Sequence, residues 1–99
     1  MRFNFESDEL RELYTTGDCP KLRLHPDVIN AFFRIMQRIF DSPDERYLRG
    51  QKGLRMEKLR GSRVGQYSLR LNAQYRLIFT ITQDTEGRLL LIIDIVDYH

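Results

Sequence analysis

The residues best suited to chemistry stand at the carboxyl end of the sequence, where Asp97, Tyr98 and His99 follow one another directly. They come straight after an apolar run at residues 89–96, which predicts a β-strand. A strand held in a sheet can position side chains at its end, whereas a loose terminus frays. An imidazole exchanges protons near neutral pH, and a phenol can stack on a base or bond to a phosphate. All three are therefore candidate catalytic residues, with Asp97 placed to orient an arginine or the imidazole. The alternative is an ordinary chain end.

A concentrated positive charge in the middle of the chain is the second feature. Residues 44–76 hold nine Lys and Arg against three Asp and Glu, so this segment carries +6 and the rest of the chain −4. Such a segment suggests a polyanionic partner, with a solvated basic surface as the alternative. Guanidinium groups match phosphate oxygens and can stabilise the charge of a phosphorane. The candidate RNA- and phosphate-binding residues are Lys58, Arg60, Arg63, Arg70 and Arg76.

Glu57 lies among these cations and is a fourth candidate catalytic residue. RNA cleavage by its own 2′-hydroxyl needs a base, and a carboxylate close to the scissile phosphate can serve as one. The alternative is a strand carboxylate paired with Arg55 or Lys58. The sequence leaves both interpretations open.

Two amphipathic helices are predicted before the basic segment. Ser7 can cap a first helix that ends at residues 16–18, and Pro26 suits the first position of a second helix that Pro43 ends. Their apolar residues recur at spacings of three and four, which predicts that they pack in the core against a sheet. These residues are Leu10, Leu13 and Tyr14 in the first helix, and Val28, Ile29, Phe32, Phe33, Ile35, Met36, Ile39 and Phe40 in the second.

The rest of the chain reads as strands joined by short turns. Strands are predicted at residues 3–5, 56–60, 66–71, 75–82 and 89–96, with hairpin turns at 72–74 and 84–87. The fold class is therefore α+β: two N-terminal helices packed on one face of a twisted, mainly antiparallel sheet of four or five strands. The last strand is apolar throughout, which predicts a central strand covered on both faces.

Alternation along the strands places Arg70 and Arg76 on the face of the sheet that is free to hold a ligand. For Arg76 a structural ion pair with Asp94 or Asp97 is a rival role, and it is favoured over contact with RNA. For Arg70, contact with RNA is favoured.

Length and composition exclude several classes of protein. A chain of 99 residues predicts a single domain over residues 1–99, and 41% apolar with 30% charged residues fits a globular protein. No apolar run reaches the length of a membrane span, and the opening MRFNFE lacks a signal-peptide core, so a cytoplasmic location is expected.

Cys19 is the only cysteine, which rules out an intramolecular disulfide. Cys19, His25 and His99 have no metal-ligand spacing, so neither a metal nor another cofactor is expected.

Three separated segments resemble the HigB family of plasmid-maintenance killer proteins, within the RelE/ParE toxin superfamily. They are LRGSRVGQYSLRLNAQYRLIF at residues 59–79, IVDYH at 95–99 and LYTTG at 13–17. The resemblance implies a RelE-like fold, a toxin of a type II toxin–antitoxin system, and ribosome-dependent endonucleolytic cleavage of mRNA. It implies as partners a cognate HigA-like helix-turn-helix antitoxin and the 70S ribosome with mRNA in the A site. Operator DNA would be contacted only through the antitoxin, and no membrane is involved.

The resemblance also assigns roles to particular positions. Asp97, Tyr98 and His99 would be active-site residues, with His99 doing the acid–base work, and Arg60 would contact phosphate. Glu57 departs from members that carry a histidine there, and a carboxylate cannot act as a cation toward phosphate at neutral pH.

Two other functions remain open beside the nuclease. One is a ParE-like inhibitor that binds DNA gyrase without cutting RNA, although such a binder has no evident need for the ending Asp97-Tyr98-His99. The other is a chain that serves only as a transcriptional co-repressor together with its antitoxin.

Overall fold

The structure, a computed structural model, describes residues 1–98, in which three helices accompany a five-stranded sheet. The strands are ordered β1-β5-β4-β3-β2, with β1 parallel to β5 and every other neighbouring pair antiparallel. This confirms the α+β class and a mainly antiparallel sheet. The elements in chain order are β1 (Phe3–Phe5), α1 (Asp8–Thr16), α2 (Pro26–Asp41), α3 (Glu45–Gly50), β2 (Glu57–Lys58), β3 (Tyr67–Arg70), β4 (Tyr75–Asp84) and β5 (Gly87–Asp97).

The helix ends follow the signals in the sequence. The Ser7 side chain accepts a hydrogen bond from the backbone N–H of Leu10 at 3.1 Å, which satisfies a free donor of the first turn of α1. Gly17 ends α1 in the left-handed conformation (φ 82°), which glycine adopts without steric cost. Helix α2 begins at Pro26, where the Nδ1 atom of His25 caps it by accepting from the N–H of Asp27.

The core lies between the helices and one face of the sheet. Phe32, Met36 and Ile39 of α2 are fully buried there against sheet residues such as Leu77 and Phe79. The prediction that Phe40 belongs to this core is wrong, because its side chain is 63% exposed. It follows Ile39 directly, so a rotation of about 100° along the helix turns it away from the sheet.

The strand predicted to be central is not at the centre. β4 holds that place, and β5 lies between β4 and the short edge strand β1. The face of the sheet opposite the core, called the open face below, bears partly exposed Leu91 and Val96, so β5 is not covered on both faces. In residues 1–98, no helix is both long enough and apolar enough to span a bilayer.

A β-bulge in β5 sets which side chains reach the open face. Phe79 pairs with Ile92, whereas the preceding residue Ile78 pairs with Asp94, so Ile93 is an extra residue. A strand alternates its side chains between two faces, and one extra residue reverses that alternation. Ile92 therefore belongs to the core, whereas Asp94 lies on the open face.

Candidate active site on the open face of the sheet

Strand pairing brings the polar residues of the open face into one cluster. Glu57 of β2 lies opposite Ser68 of β3, and Arg76 of β4 lies opposite Val96 of β5. Tyr98 follows the end of β5, where its backbone N–H donates to the carbonyl of Gln74 at 2.7 Å. Four strands thus deliver side chains from distant parts of the sequence to a single patch.

Arg76 is the buried centre of this patch, with only 6% of its surface exposed. Its Nε donates to the hydroxyl of buried Ser68 at 2.8 Å, and its guanidinium also donates to the carbonyl of Arg55. Within residues 1–98, these bonds satisfy two of the five N–H donors of the guanidinium. Arg76 is thereby held in one orientation, as a group that must stabilise developing charge should be.

Tyr98 lies over this arginine. The guanidinium carbon of Arg76 is 4.8 Å from the centre of the Tyr98 ring, which is a cation–π contact. The Tyr98 hydroxyl donates to Oε2 of Glu57 at 2.8 Å. The ring remains 48% exposed, so its outer part is available to a ligand.

The same hydrogen bond sets the protonation of Tyr98. Donation to Glu57, the negative charge of that carboxylate and partial burial raise the pKa of the phenol above its usual value of 10.0, while Arg76 opposes the shift. Tyr98 is therefore a neutral hydrogen-bond donor at physiological pH and not a base.

Two hollows flank the Tyr98–Arg76 pair, and both residues line each of them. The first, of about 280 Å³, is mainly apolar and is lined by Leu59, Arg63, Ser68, Arg76, Ile78, Val96, Asp97 and Tyr98. The second, of about 180 Å³, is cationic and is lined by Arg55, Arg70, Asn72, Ala73, Arg76 and Tyr98. Larger hollows of about 490 and 510 Å³ around Met1 and Arg2 share no residue with this cluster.

Most of the predicted site residues meet here. Arg63 lines the apolar hollow and pairs with Asp94 at 3.2 Å. Asp97 lines the same hollow and accepts a hydrogen bond from Gln74 at 2.8 Å. Arg70 lines the cationic hollow.

Lys58 and Arg60 are not part of the cluster that residues 1–98 form. Lys58 pairs with Tyr67, whose ring stacks on the core residue Phe79, so strand alternation directs Lys58 away from the open face. Arg60 is exposed and immediately precedes a short 3₁₀ turn (Gly61–Arg63), apart from the residues that line the two hollows. His99 lies outside the described residues.

Of the two ion pairs predicted as alternatives for Arg76, with Asp94 or with Asp97, the one with Asp94 is not found among residues 1–98. Asp94 pairs with Arg63, whereas Arg76 turns toward Ser68 and the backbone of Arg55. Within residues 1–98, the hydrogen-bond acceptors of this guanidinium are a hydroxyl and a carbonyl oxygen, and neither of them carries a charge that would neutralise it.

The sequence interpretation missed Ser68 and Arg55. The register of β3 against β4 identifies Ser68, but register cannot be read from one strand alone. Arg55 carries a backbone signal, a left-handed φ of 45°, that is visible only in the structure. No group of three or more His, Cys, Asp or Glu residues that could hold a metal ion occurs within residues 1–98.

Comparison with solved structures identifies the fold. The fold is similar to a YoeB/ParE toxin from Agrobacterium tumefaciens (TM-score 0.62, 14% identity, all of both chains covered). It also resembles YafQ from E. coli (TM-score 0.60, 13% identity, 98% of this chain and 93% of that one). A third likeness is to the YoeB–YefM toxin–antitoxin complex of Staphylococcus aureus (TM-score 0.57, 19% identity, 100% and 97%). The fold is thus that of small RelE-like toxins.

Sequence comparison narrows the class to a family. Residues 3–99 match the family described as the RelE-like toxin of type II toxin–antitoxin system HigB. The chain is also 39% identical over 80 residues to Toxin HigB-1 of Vibrio cholerae, covering 80% of this chain and 82% of that protein. The chain therefore belongs to the HigB-like family of type II toxins.

Proposed function

We propose that this HigB-family toxin is an endoribonuclease that cuts mRNA in the A site of the ribosome. One observation carries the proposal: a buried, oriented guanidinium lies beneath an exposed aromatic ring and beside a carboxylate. Base stacking on an aromatic ring and phosphate binding by arginine are two of the interactions through which proteins bind single-stranded RNA. Action on ribosomes also implies a cytoplasmic location.

The reaction proposed is attack of the 2′-hydroxyl on the adjacent phosphorus. The 2′-oxygen loses its proton and bonds to phosphorus, the bond from phosphorus to the 5′-oxygen breaks, and that oxygen takes up a proton. The products are a 2′,3′-cyclic phosphate and a 5′-hydroxyl. No cofactor enters this balance.

The residues divide these tasks. Arg76 stabilises the negative charge that develops on the phosphorane oxygens, because its position is fixed before substrate arrives. Glu57 takes the 2′-hydroxyl proton; its Oε2 holds the Tyr98 hydroxyl, and Oε1 carries no hydrogen bond within residues 1–98. His99 supplies the proton to the 5′-oxygen, and Asp97 orients it.

The apolar hollow supplies the binding surface for the base. Tyr98 forms one wall for stacking, and Arg63 stands at the same hollow and contacts the RNA backbone. Lys58 and Arg60, which lie away from the cluster, contribute longer-range attraction to phosphate.

The proposed partners follow from the family. A type II toxin is neutralised by a protein antitoxin, and a YoeB toxin of Staphylococcus aureus has been solved as a complex with YefM. We infer a HigA-like helix-turn-helix antitoxin for this chain, and contact with operator DNA only through it.

The decisive experiment adds purified toxin to ribosomes translating a reporter mRNA. Cleavage in the A site is expected, with the rate about a hundredfold to ten-thousandfold lower for His99→Ala. Arg46→Ala serves as a matched control, because this exposed arginine lies outside both hollows. Intact mRNA would contradict the proposal, and inhibited DNA supercoiling in its place would favour a ParE-like gyrase inhibitor.

Antitoxin binding provides the folding control. His99→Ala should still bind the antitoxin, because one side chain contributes little to an interface of standard size. Loss of binding together with loss of cleavage would instead indicate a folding defect. Size-exclusion chromatography of the mixed proteins measures this.

A further inference from the structure

The cationic hollow differs in chemistry from the apolar one on the other side of Tyr98. Three of its six lining residues are arginines, Arg55, Arg70 and Arg76, and none is acidic. Within residues 1–98, none of the three forms an ion pair with a carboxylate. Three unneutralised like charges around one small hollow repel each other and favour an anion in it.

The guanidinium groups of Arg70 and Arg76 are also held in place. The Nε of Arg70 donates to the carbonyl of Asn72 at 3.2 Å, and the Asn72 side chain accepts from the backbone N–H groups of Gln74 and Tyr75, which fixes the β3–β4 hairpin. The carbonyl of Arg55 accepts from Arg76. Because the groups are ordered before binding, less entropy is lost when a ligand arrives.

The two hollows share the Tyr98–Arg76 pair as their common wall. A nucleotide that stacks its base in the apolar hollow and has its scissile phosphate at Arg76 must continue its backbone past that wall. The cationic hollow is where the continuing chain meets positive charge.

We propose that Arg55 and Arg70 form a second phosphate-binding subsite, which holds the phosphodiester next to the one that is cut. The inference rests on the proposed nuclease function, and it adds the path that the RNA strand takes across the site. Arg55 and Arg70 bind a non-bridging oxygen of this neighbouring phosphate, and Arg76 serves the scissile one. The subsite thereby fixes the strand on both sides of the reacting bond.

The test replaces that neighbouring phosphate with a neutral methylphosphonate linkage in the A-site codon of an mRNA on ribosomes. For the wild-type toxin, neutralising the linkage should slow single-turnover cleavage by about tenfold, the loss expected for one charge-assisted contact. Arg55→Ala and Arg70→Ala should each slow cleavage of the native mRNA similarly. In the double variant Arg55→Ala, Arg70→Ala the neutral linkage should cost little more, because both contacts to that phosphate are already gone, whereas each single variant should lose less than the wild type does.

Several results would overturn the subsite. One is that Arg55→Ala and Arg70→Ala cleave native mRNA as fast as Arg46→Ala does. Another is that these variants still lose the full tenfold in rate on the neutral linkage. Either result would show that Arg55 and Arg70 do not contact the neighbouring phosphate. Normal cleavage with lost antitoxin binding would assign the hollow to an acidic antitoxin segment. If the wild type leaves native mRNA intact, the nuclease proposal itself fails, which is a separate outcome.

Thermal unfolding supplies a readout independent of activity. Because the three cations repel each other and no hydrogen bond of the Arg55 side chain is found within residues 1–98, Arg55→Ala should unfold at the same temperature as the wild type or a higher one. Arg55 is exposed, and alanine in its left-handed conformation is strained no more than arginine is. A marked drop in the unfolding temperature of Arg55→Ala would show that Arg55 is structural and would overturn the proposal.

Discussion

At the scale of single residues, the site depends on where one proton lies. The Tyr98 hydroxyl keeps its proton and donates a hydrogen bond to the carboxylate of Glu57, so the phenol is a hydrogen-bond donor and not a base. This bond also holds the aromatic ring over Arg76. Glu57 therefore has two functions at once, as proposed base and as positioning residue for Tyr98.

Titration of Tyr98 tests this bond directly. The pKa of Tyr98, measured by ultraviolet absorbance against a Tyr98→Phe reference, should exceed the usual 10.0 and fall toward it in Glu57→Gln. Folding raises this pKa, so the bond stabilises the native state below about pH 10 and the contribution is lost as pH rises through the native pKa. Exposed Glu6→Gln is the control and should change nothing. An unchanged pKa in Glu57→Gln would contradict the bond.

Ser68 tests the anchoring of Arg76. Ser68→Ala removes the acceptor of the Arg76 Nε in a buried setting, so the free energy of unfolding should fall by about 1–3 kcal/mol. Ser62→Ala, at an exposed position, should stay within about 0.5 kcal/mol. Urea denaturation measures both. Equal stability of the two variants would show that Arg76 is held by other contacts.

At the scale of elements, local signals were sufficient for α1, α2 and the hairpins, but not for α3 or for the order of the strands in the sheet. Ser7, Gly17 and Pro26 act within a few residues of their own positions, so the sequence predicts where α1 and α2 begin and where α1 ends. The place of β5 beside β1 and its bulge at Ile93 depend on pairing between distant strands. A single strand carries no signal for either.

Two phenylalanines of α2 provide the element-scale prediction. Phe32→Ala removes a fully buried ring and should lower the free energy of unfolding by about 3–5 kcal/mol. Phe40→Ala, eight residues further along the same helix, should cost less than about 1 kcal/mol because that ring is mostly exposed. Denaturant midpoints of both variants check the pair. A large loss for Phe40→Ala would place Phe40 back in the core.

At the scale of the whole molecule, two ion pairs join distant parts of the chain. Arg2 before β1 bonds Asp84 at the end of β4, at 2.5 Å, and Arg88 of β5 bonds Glu45 of α3, also at 2.5 Å. Arg2 lowers the pKa of Asp84 through their hydrogen bond. The pKa of Glu45 is lowered first by its own backbone N–H and then by Arg88, against the effect of burial.

These lowered pKa values predict that the protein loses stability in acid. A carboxyl whose pKa is lowered by folding stabilises the native state above its unfolded pKa of about 4, and the contribution is lost as pH falls through the native pKa. The unfolding temperature should therefore fall between about pH 5 and pH 2. In the double variant Asp84→Asn, Glu45→Gln this loss should be less steep, as calorimetry would show. If the double variant loses stability in acid as steeply as the wild type, other carboxyl groups are responsible for that loss.

The sequence predicted much of the site, for a physical reason. Alternation along regular strands places Arg70 and Arg76 on the open face, and the structure confirms that placement. Lys58 also follows the alternation, but it lies on the other face of the sheet. Counting charges along the sequence could not distinguish it from the cations of the open face. Arg55 reaches the site from a turn, where no periodicity exists to predict its direction.

The extra residue in β5 has a consequence for engineered variants of this toxin. Strand alternation has a period of two, and Ile92 faces the core. The Tyr98 ring therefore lies on the open face only because one extra residue, Ile93, stands between them, and any odd number of extra residues would have the same effect. Lengthening this stretch one residue at a time should therefore abolish and restore ring placement in turn. Length variants of this strand would behave as a parity switch, insensitive to which residue is added.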